Sequence, residues 1–160
     1  MPTLAFHTRV PQAPHQVEAE CFATREAFEG LLPRYLARVR VTYAPGDRVM
    51  PGTVVEFRPW LFPGRWRVVS HLRERSPGAW VWEWREGPLR GTETWVFEGD
   101  GQGGTRFTRR VDYLVTGRRE RWFWTLVATP AHTLVALLER RRLKRWGRRS
   151  PGKGFDPVPG

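Results

Sequence analysis

Apolar and polar residues alternate strictly in the middle of the chain, where Trp80, Trp82 and Trp84 are interleaved with Val81, Glu83 and Arg85. A period of two is that of a strand with one face turned to a core. Val55 and Phe57 alternate in the same way with Glu56 and Arg58 over residues 52–60. Residues 36–43, 66–73, 91–98 and 105–115 complete a set of six short strands, separated by APGD, LFPGR, Ser-Pro-Gly, Gly-Pro and GDGQGG. Glycine, proline and aspartate at those places are turn formers, so the set predicts an antiparallel meander. Residues 5–10 form a further, opening strand that ends near Pro11.

Helical spacing occupies the two ends of this strand-rich body. Pro14 opens a helix in which Val17, Cys21 and Phe22 share a face, with Glu18 and Glu20 outside it; a second short helix runs from residue 25 to residue 32 and stops at Pro33. At the far end, residues 117–146 are the one stretch long and apolar enough for the rest of the chain to fold around. Leu134, Leu137, Leu138 and Arg141 fall at i, i+3, i+4 and i+7, which predicts a stripe against the sheet with Leu134 and Leu138 buried. Thr129-Pro130 reads as an N-cap followed by proline at the first helical position. Residues 119–128 either form an earlier helical segment, kinked at Pro130, or lie outside the helix; the kinked long helix is preferred. The fold class is therefore α+β: a strand, two short helices, six strands and a long helix, with the sheet of about seven strands curling around that helix.

The 160 residues suit one domain over residues 1–147, followed by a basic tail over residues 148–160 whose Pro and Gly predict flexibility. No apolar run approaches membrane-spanning length and the opening segment lacks a secretion signal, so a cytoplasmic protein is expected. Cys21 is the single cysteine, which excludes an internal disulfide and reads as a buried small hydrophobe. The four histidines are scattered without metal-ligand spacing, so neither a metal nor a cofactor is expected. The net charge of +11 is concentrated at the end of the chain: from Arg118 onward eleven Lys or Arg face only Glu120, Glu139 and Asp156.

Several segments together, APHQVEAECFA after the first strand, GTVVEF, GTETWVFEGDGQGGTRFTRRVDY and a helix ending LLERRRLKRW, resemble the SRPBCC superfamily, the START and birch-pollen-allergen-like group with the helix-grip fold. The polyketide cyclase/dehydrase and lipid-transport-like branch is the most similar. The resemblance covers roughly residues 4–146 and implies a ligand pocket between the concave face of the sheet and the long helix. Its motifs are structural and carry no reaction with them.

If the last hairpin pairs without a bulge across GDGQGG, Phe97 faces Thr105, Trp95 faces Phe107 and Glu93 faces Arg109, joined on one face by Val111 and Tyr113. The aromatic content makes that face the inner one. Glu93 and Arg109 are then a charged pair in an apolar wall, where they either orient a polar ligand head group or only fix strand register. Phe57, Trp60, Trp66, Trp80, Trp82, Trp84 and Trp95 either line an aromatic cavity or fill it. The expected ligand-binding set is Phe57, Trp66, Trp80, Trp82, Trp84, Glu93, Trp95, Phe107, Arg109, Tyr113 and Leu134. Glu93, Asp112, His71 and Tyr113 are candidate acids or bases, but they form no recognisable catalytic motif.

The sequence thus points first to a module that binds a hydrophobic small molecule, such as a lipid, an isoprenoid or quinone, or a polyketide-like compound. A cyclase or dehydratase using the same pocket is the second reading. A binder of anionic surfaces, membrane or nucleic acid, acting through the basic C-terminal helix is the third. Either a monomer or a homodimer fits all three.

Overall fold

A computed structural model describes residues 2–32, 34, 36–46, 48–60 and 67–149. Seven strands, β1 (Thr3–Val10), β2 (Ala37–Thr42), β3 (Val54–Pro59), β4 (Val68–Ser76), β5 (Ala79–Glu86), β6 (Leu89–Gly99) and β7 (Thr105–Val115), form one antiparallel sheet in the order β1-β7-β6-β5-β4-β3-β2. Six of them follow one another as the expected meander, and β1 closes the set by pairing with the last strand. Helices α1 (Pro14–Cys21) and α2 (Arg25–Leu31) follow β1, and the chain ends in a helical run after β7. This is the α+β, helix-grip architecture that the order of elements predicts. Trp66 and the end of the tail lie outside the described residues, and no described helix is long and apolar enough to cross a membrane.

The inner face of the sheet carries the core. Trp80, Trp82 and Trp84 are 0%, 2% and 5% exposed, so the strand phase read from their alternation is the observed one. Phe22, which follows α1, meets Trp80, Trp95, Phe97 and Phe107 with ring centroids 5.0–6.3 Å apart, and Phe28 of α2 stacks on Trp82 at 5.6 Å. Thr24 starts α2 by accepting a hydrogen bond from the Ala27 N–H.

Glu18 does not stay outside, as the α1 pattern had suggested. Its carboxylate accepts hydrogen bonds from Trp80 Nε1 at 2.9 Å and from the Gly78 N–H at 3.0 Å, and Arg75 lies beside it. The buried indole N–H needs an acceptor, and a carboxylate on the adjoining helix supplies one. Burial and the charge of Glu20 push the Cys21 thiol up to about 12, which leaves it an inert core residue.

The terminal helical path runs without a break from α3 (Arg118–Phe123) through a π-helical turn (Trp124–Ala128) into α4 (Thr129–Arg149). The π turn ends two residues before Pro130, whose missing N–H leaves a carbonyl without its usual α-helical donor. Thr129 does not cap a new helix: its hydroxyl donates back to the Trp124 carbonyl at 2.9 Å.

The side of α4 turned to the sheet is also different from the expected one. Leu143 is 2% exposed and Trp146 packs against the core, whereas Leu134 and Leu137 are 46% and 50% exposed and Leu138 is only half-buried. Two contacts set this rotation. Glu139 reaches an arginine on β7, and Gly147 lies where a Cβ would come within 2.8 Å of Gln12 and 2.9 Å of Pro11. Gln12 Nε2 donates to the Gly147 carbonyl at 2.6 Å, fastening the end of the helix to the segment after β1.

Leu143→Ala should therefore cost about 2–4 kcal/mol in urea unfolding, while Leu134→Ala should stay within about 0.5 kcal/mol of the parent. The reverse ranking would mean that the other face of α4 is docked.

Candidate functional site

The cross-strand register divides the inner face into rows. Trp84, Gly91 and Tyr113 lie in one row, Trp82, Glu93 and Val111 in the next, then Trp80, Trp95 and Arg109, then Phe97 and Phe107. Trp84 and Tyr113 of the first row form one apolar cluster with Val68, Leu89, Val111 and Trp124. Trp80, Trp95, Phe97 and Phe107 of the last two rows belong to the larger aromatic cluster beneath α1 and α2. Glu93 and Arg109 occupy the seam between the two clusters.

The pairing itself is two residues away from the expected one. Gly99 pairs with Thr105, Phe97 with Phe107, Trp95 with Arg109 and Glu93 with Val111. Asp100 causes the shift: its carboxylate accepts the N–H groups of Gln102 and Gly104, both at 2.9 Å, and its own N–H donates to the Gly104 carbonyl. The loop therefore closes over residues 100–104, and Glu98 and Gly99 remain in the strand. A shift of two preserves side-chain parity, so the same side chains still face inward.

Glu93 and Arg109 are thus diagonal rather than opposite neighbours, within reach of long side chains. Arg109 Nε donates to Glu93 Oε1. The guanidinium also donates to Glu139 Oε1 at 3.0 Å, and Trp95 Nε1 donates to Glu93 Oε1 at 2.5 Å. The three charged side chains are 11%, 7% and 18% exposed for Arg109, Glu93 and Glu139. The Arg109 guanidinium lies 6.0 Å from the centre of the Trp95 ring, within cation–π range.

Glu139 is the member of this candidate site that the sequence reading missed. It had been counted only as an acid in a basic helix. The available signal was its place at i−4 from Leu143, which puts both on one side of α4.

Two carboxylates share one guanidinium here, so the group carries either an excess negative charge or a proton. Burial raises the Glu139 pKa, and the nearby charge of Glu93 adds to the rise while Arg109 opposes it. Burial works against the charge on Arg109, but Glu93 and Glu139 together hold its pKa above the ordinary arginine value. The arrangement is a fixed cation with an adjacent carboxyl that retains its proton at higher pH than a solvated one. Trp82, directly across from Glu93, has a buried Nε1 without a hydrogen-bond partner among the described residues.

The remaining expected residues divide by location. Trp80, Trp95 and Phe107 pack against other rings in the larger cluster, and Trp80 and Trp95 stack at 5.8 Å. Trp84 and Tyr113 face Trp124 of the π turn, with ring centroids 6.3 and 4.9 Å apart. Phe57 touches both clusters. Leu134 is on the outer side of α4 and does not join the wall. Trp60 is 60% exposed and donates to the Arg34 carbonyl instead of lining the interior. His71 is half-buried on β4, paired with Glu83, and Asp112 bonds Thr3 and Arg110 at the surface. Neither reaches the seam group.

No protein-family model matches the chain, and no curated protein matches it in sequence. Solved structures do match. Norcoclaurine synthase from Thalictrum flavum, in complex with dopamine and hydroxybenzaldehyde, superposes with a TM-score of 0.63 at 12% identity over 95% of this chain and 89% of that one. TTHA0849 from Thermus thermophilus gives 0.60 at 20% identity, covering 94% of this chain and 100% of its own. A protein from Thermobifida fusca solved by solution NMR gives 0.60 at 15% identity over 92% and 95%. The fold is of the birch-pollen-allergen type. At these identities the likeness extends to the fold alone.

Arg109→Met alone strands two buried carboxylates and should cost about 3–5 kcal/mol in urea unfolding. Combining it with Glu93→Leu and Glu139→Leu should recover most of that loss. If the combined variant is instead destabilised by the sum of the single changes, the three side chains do not act as one group.

Proposed function

We propose that this domain binds a hydrophobic small molecule between the concave face of the sheet and the C-terminal helix, with the ligand's polar group seated on Arg109, Glu93 and Glu139. The observation that carries the reading is the chemistry of the seam. A structural ion pair needs one carboxylate for one guanidinium, whereas this one has two, beside an indole N–H of Trp82 that has no acceptor among the described residues. A charged group with one carboxylate in excess, at a boundary between apolar clusters, suits a mostly apolar ligand with a few hydrogen-bonding atoms. The aromatic surroundings of Trp84, Tyr113 and Trp124 favour a flat or isoprenoid body over a straight chain. The resemblance to the cyclase/dehydrase and lipid-transport-like branch supports the same ligand class, and the reading keeps the protein in the cytoplasm.

One observation favours a catalytic version of this reading. Burial raises the pKa of Glu139, which sits on the same guanidinium as Glu93, and a carboxyl that keeps its proton can serve as a general acid. Norcoclaurine synthase, which shares the fold, is a synthase with two aromatic compounds bound in its structure. A cyclase or dehydratase acting on an aromatic or polyketide-like substrate would use Glu139 as the proton donor and Arg109 to hold developing negative charge.

Mass spectrometry of small molecules extracted from the purified protein tests the binding reading. The parent should carry an apolar compound with a polar end, and the Arg109→Met, Glu93→Leu, Glu139→Leu variant should lose it or exchange it for a fully apolar one. An identical set of compounds in both proteins would remove the seam group from ligand recognition.

A further inference from the structure

The apolar stripe that the sequence placed against the sheet lies on the outside of the molecule. Trp122, Leu126, Leu134 and Leu137 are 65%, 64%, 46% and 50% exposed, and Pro130 between them is exposed as well. Steps of three or four residues put all five along one side of the α3–α4 path. The same line continues into Arg141, Lys144, Arg145 and Arg148, all exposed. None of these cations makes an ion pair within 4 Å among the described residues.

Beside this line, α4 runs along the free edge of the sheet. Arg140 and Lys144 from the helix, with His7, Thr8 and Arg9 of β1 and Arg106 of β7, border a cleft of about 530 Å³. Arg9 and Arg106 are direct cross-strand neighbours, and neither makes an ion pair among the described residues. Glu98 of β6 is the other direct neighbour of Arg106, so one acid adjoins this pair of cations and the cleft remains basic on balance.

We propose that this outer face of the C-terminal helix docks the protein on an anionic membrane surface. An exposed Trp and Leu ridge enters the headgroup boundary, while the basic half of the line and the adjoining cleft take lipid phosphates. Charge complementarity selects the partner: the cations are concentrated on one side, without ion pairs among the described residues, and contiguous with the exposed apolar ridge. Nucleic acid would use the cations and leave the ridge without a role. The proposal is independent of the interior ligand, because none of these side chains belongs to the seam group.

Co-sedimentation of the full chain with phosphatidylcholine vesicles, with and without phosphatidylglycerol, tests it. Binding should require phosphatidylglycerol and weaken as salt rises. Arg141→Gln, Lys144→Gln and Arg145→Gln together should weaken it roughly a hundredfold, at about fivefold per cation. Trp122→Ser with Leu134→Ser should weaken it about tenfold or more while leaving the urea midpoint in place, since neither residue is buried. Failure to bind the anionic vesicles overturns the proposal. So does binding that falls with the glutamines but ignores the two serines, the pattern of a polyanion site. A parent that is dimeric by light scattering and becomes monomeric with the two serines would assign the ridge to a second copy of the chain, and that too overturns it.

Discussion

A guanidinium buried beside an indole ring has to be neutralised, and the position of Arg109 constrains much of the rest of this molecule. Transferring an unpaired charge into such surroundings costs several kcal/mol even after relaxation. Glu93 on the neighbouring strand and Glu139 on α4 meet that cost from two directions, and Trp95 donates to the same Glu93 oxygen. One group therefore joins two strands of the sheet to the C-terminal helix. It also selects which face of that helix is turned inward, against the preference of the more apolar face.

The two apolar clusters on either side have different characters. The larger is a closed arrangement of rings in which Phe22 and Phe28, carried by the α1–α2 region, fill the space above Trp80, Trp82, Trp95, Phe97 and Phe107. The smaller is covered by Trp124, from the one stretch of the terminal helix wound as a π turn. π turns recur at functional positions because they displace a side chain from the regular helical pattern. Here the displaced region carries the ring above Tyr113 and Trp84, on the far side of the seam group from the packed rings. The interior is thus packed with rings at one end, polar in the middle and covered at the other end by an irregular helical turn.

Much of this was legible in the sequence, and the failures have particular causes. Period-two alternation placed Trp80, Trp82 and Trp84 inward, because a half-buried strand leaves no other solution. Parity put Glu93 and Arg109 on the same face, but their register depended on how Asp100 closes the last hairpin, a side-chain-to-backbone contact that the apolar pattern does not encode. The helix was read by hydrophobicity alone, and that criterion chose Leu134 and Leu138 over the face containing Glu139 and Gly147. A buried carboxylate and a close backbone approach outweighed several leucines. Glu18 was misplaced for the same reason, since the indole that needs it lies many residues away on β5. In each case the polar residue moved inward because a distant partner required it.

The central claim is that Glu139 sits in the interior as part of a charged group with Arg109 and Glu93. Carbon-13 NMR of the side-chain carboxyls across a pH series measures this directly, with Glu139→Gln identifying the resonance. The account predicts a midpoint for Glu139 above the ordinary glutamate value, because burial and the charge of Glu93 both disfavour its ionised form. In a Glu93→Gln variant that midpoint should move down. A Glu139 carboxyl that titrates at the ordinary value, and does so whether or not Glu93 is charged, would contradict the buried group on which the architecture and the proposed site both depend.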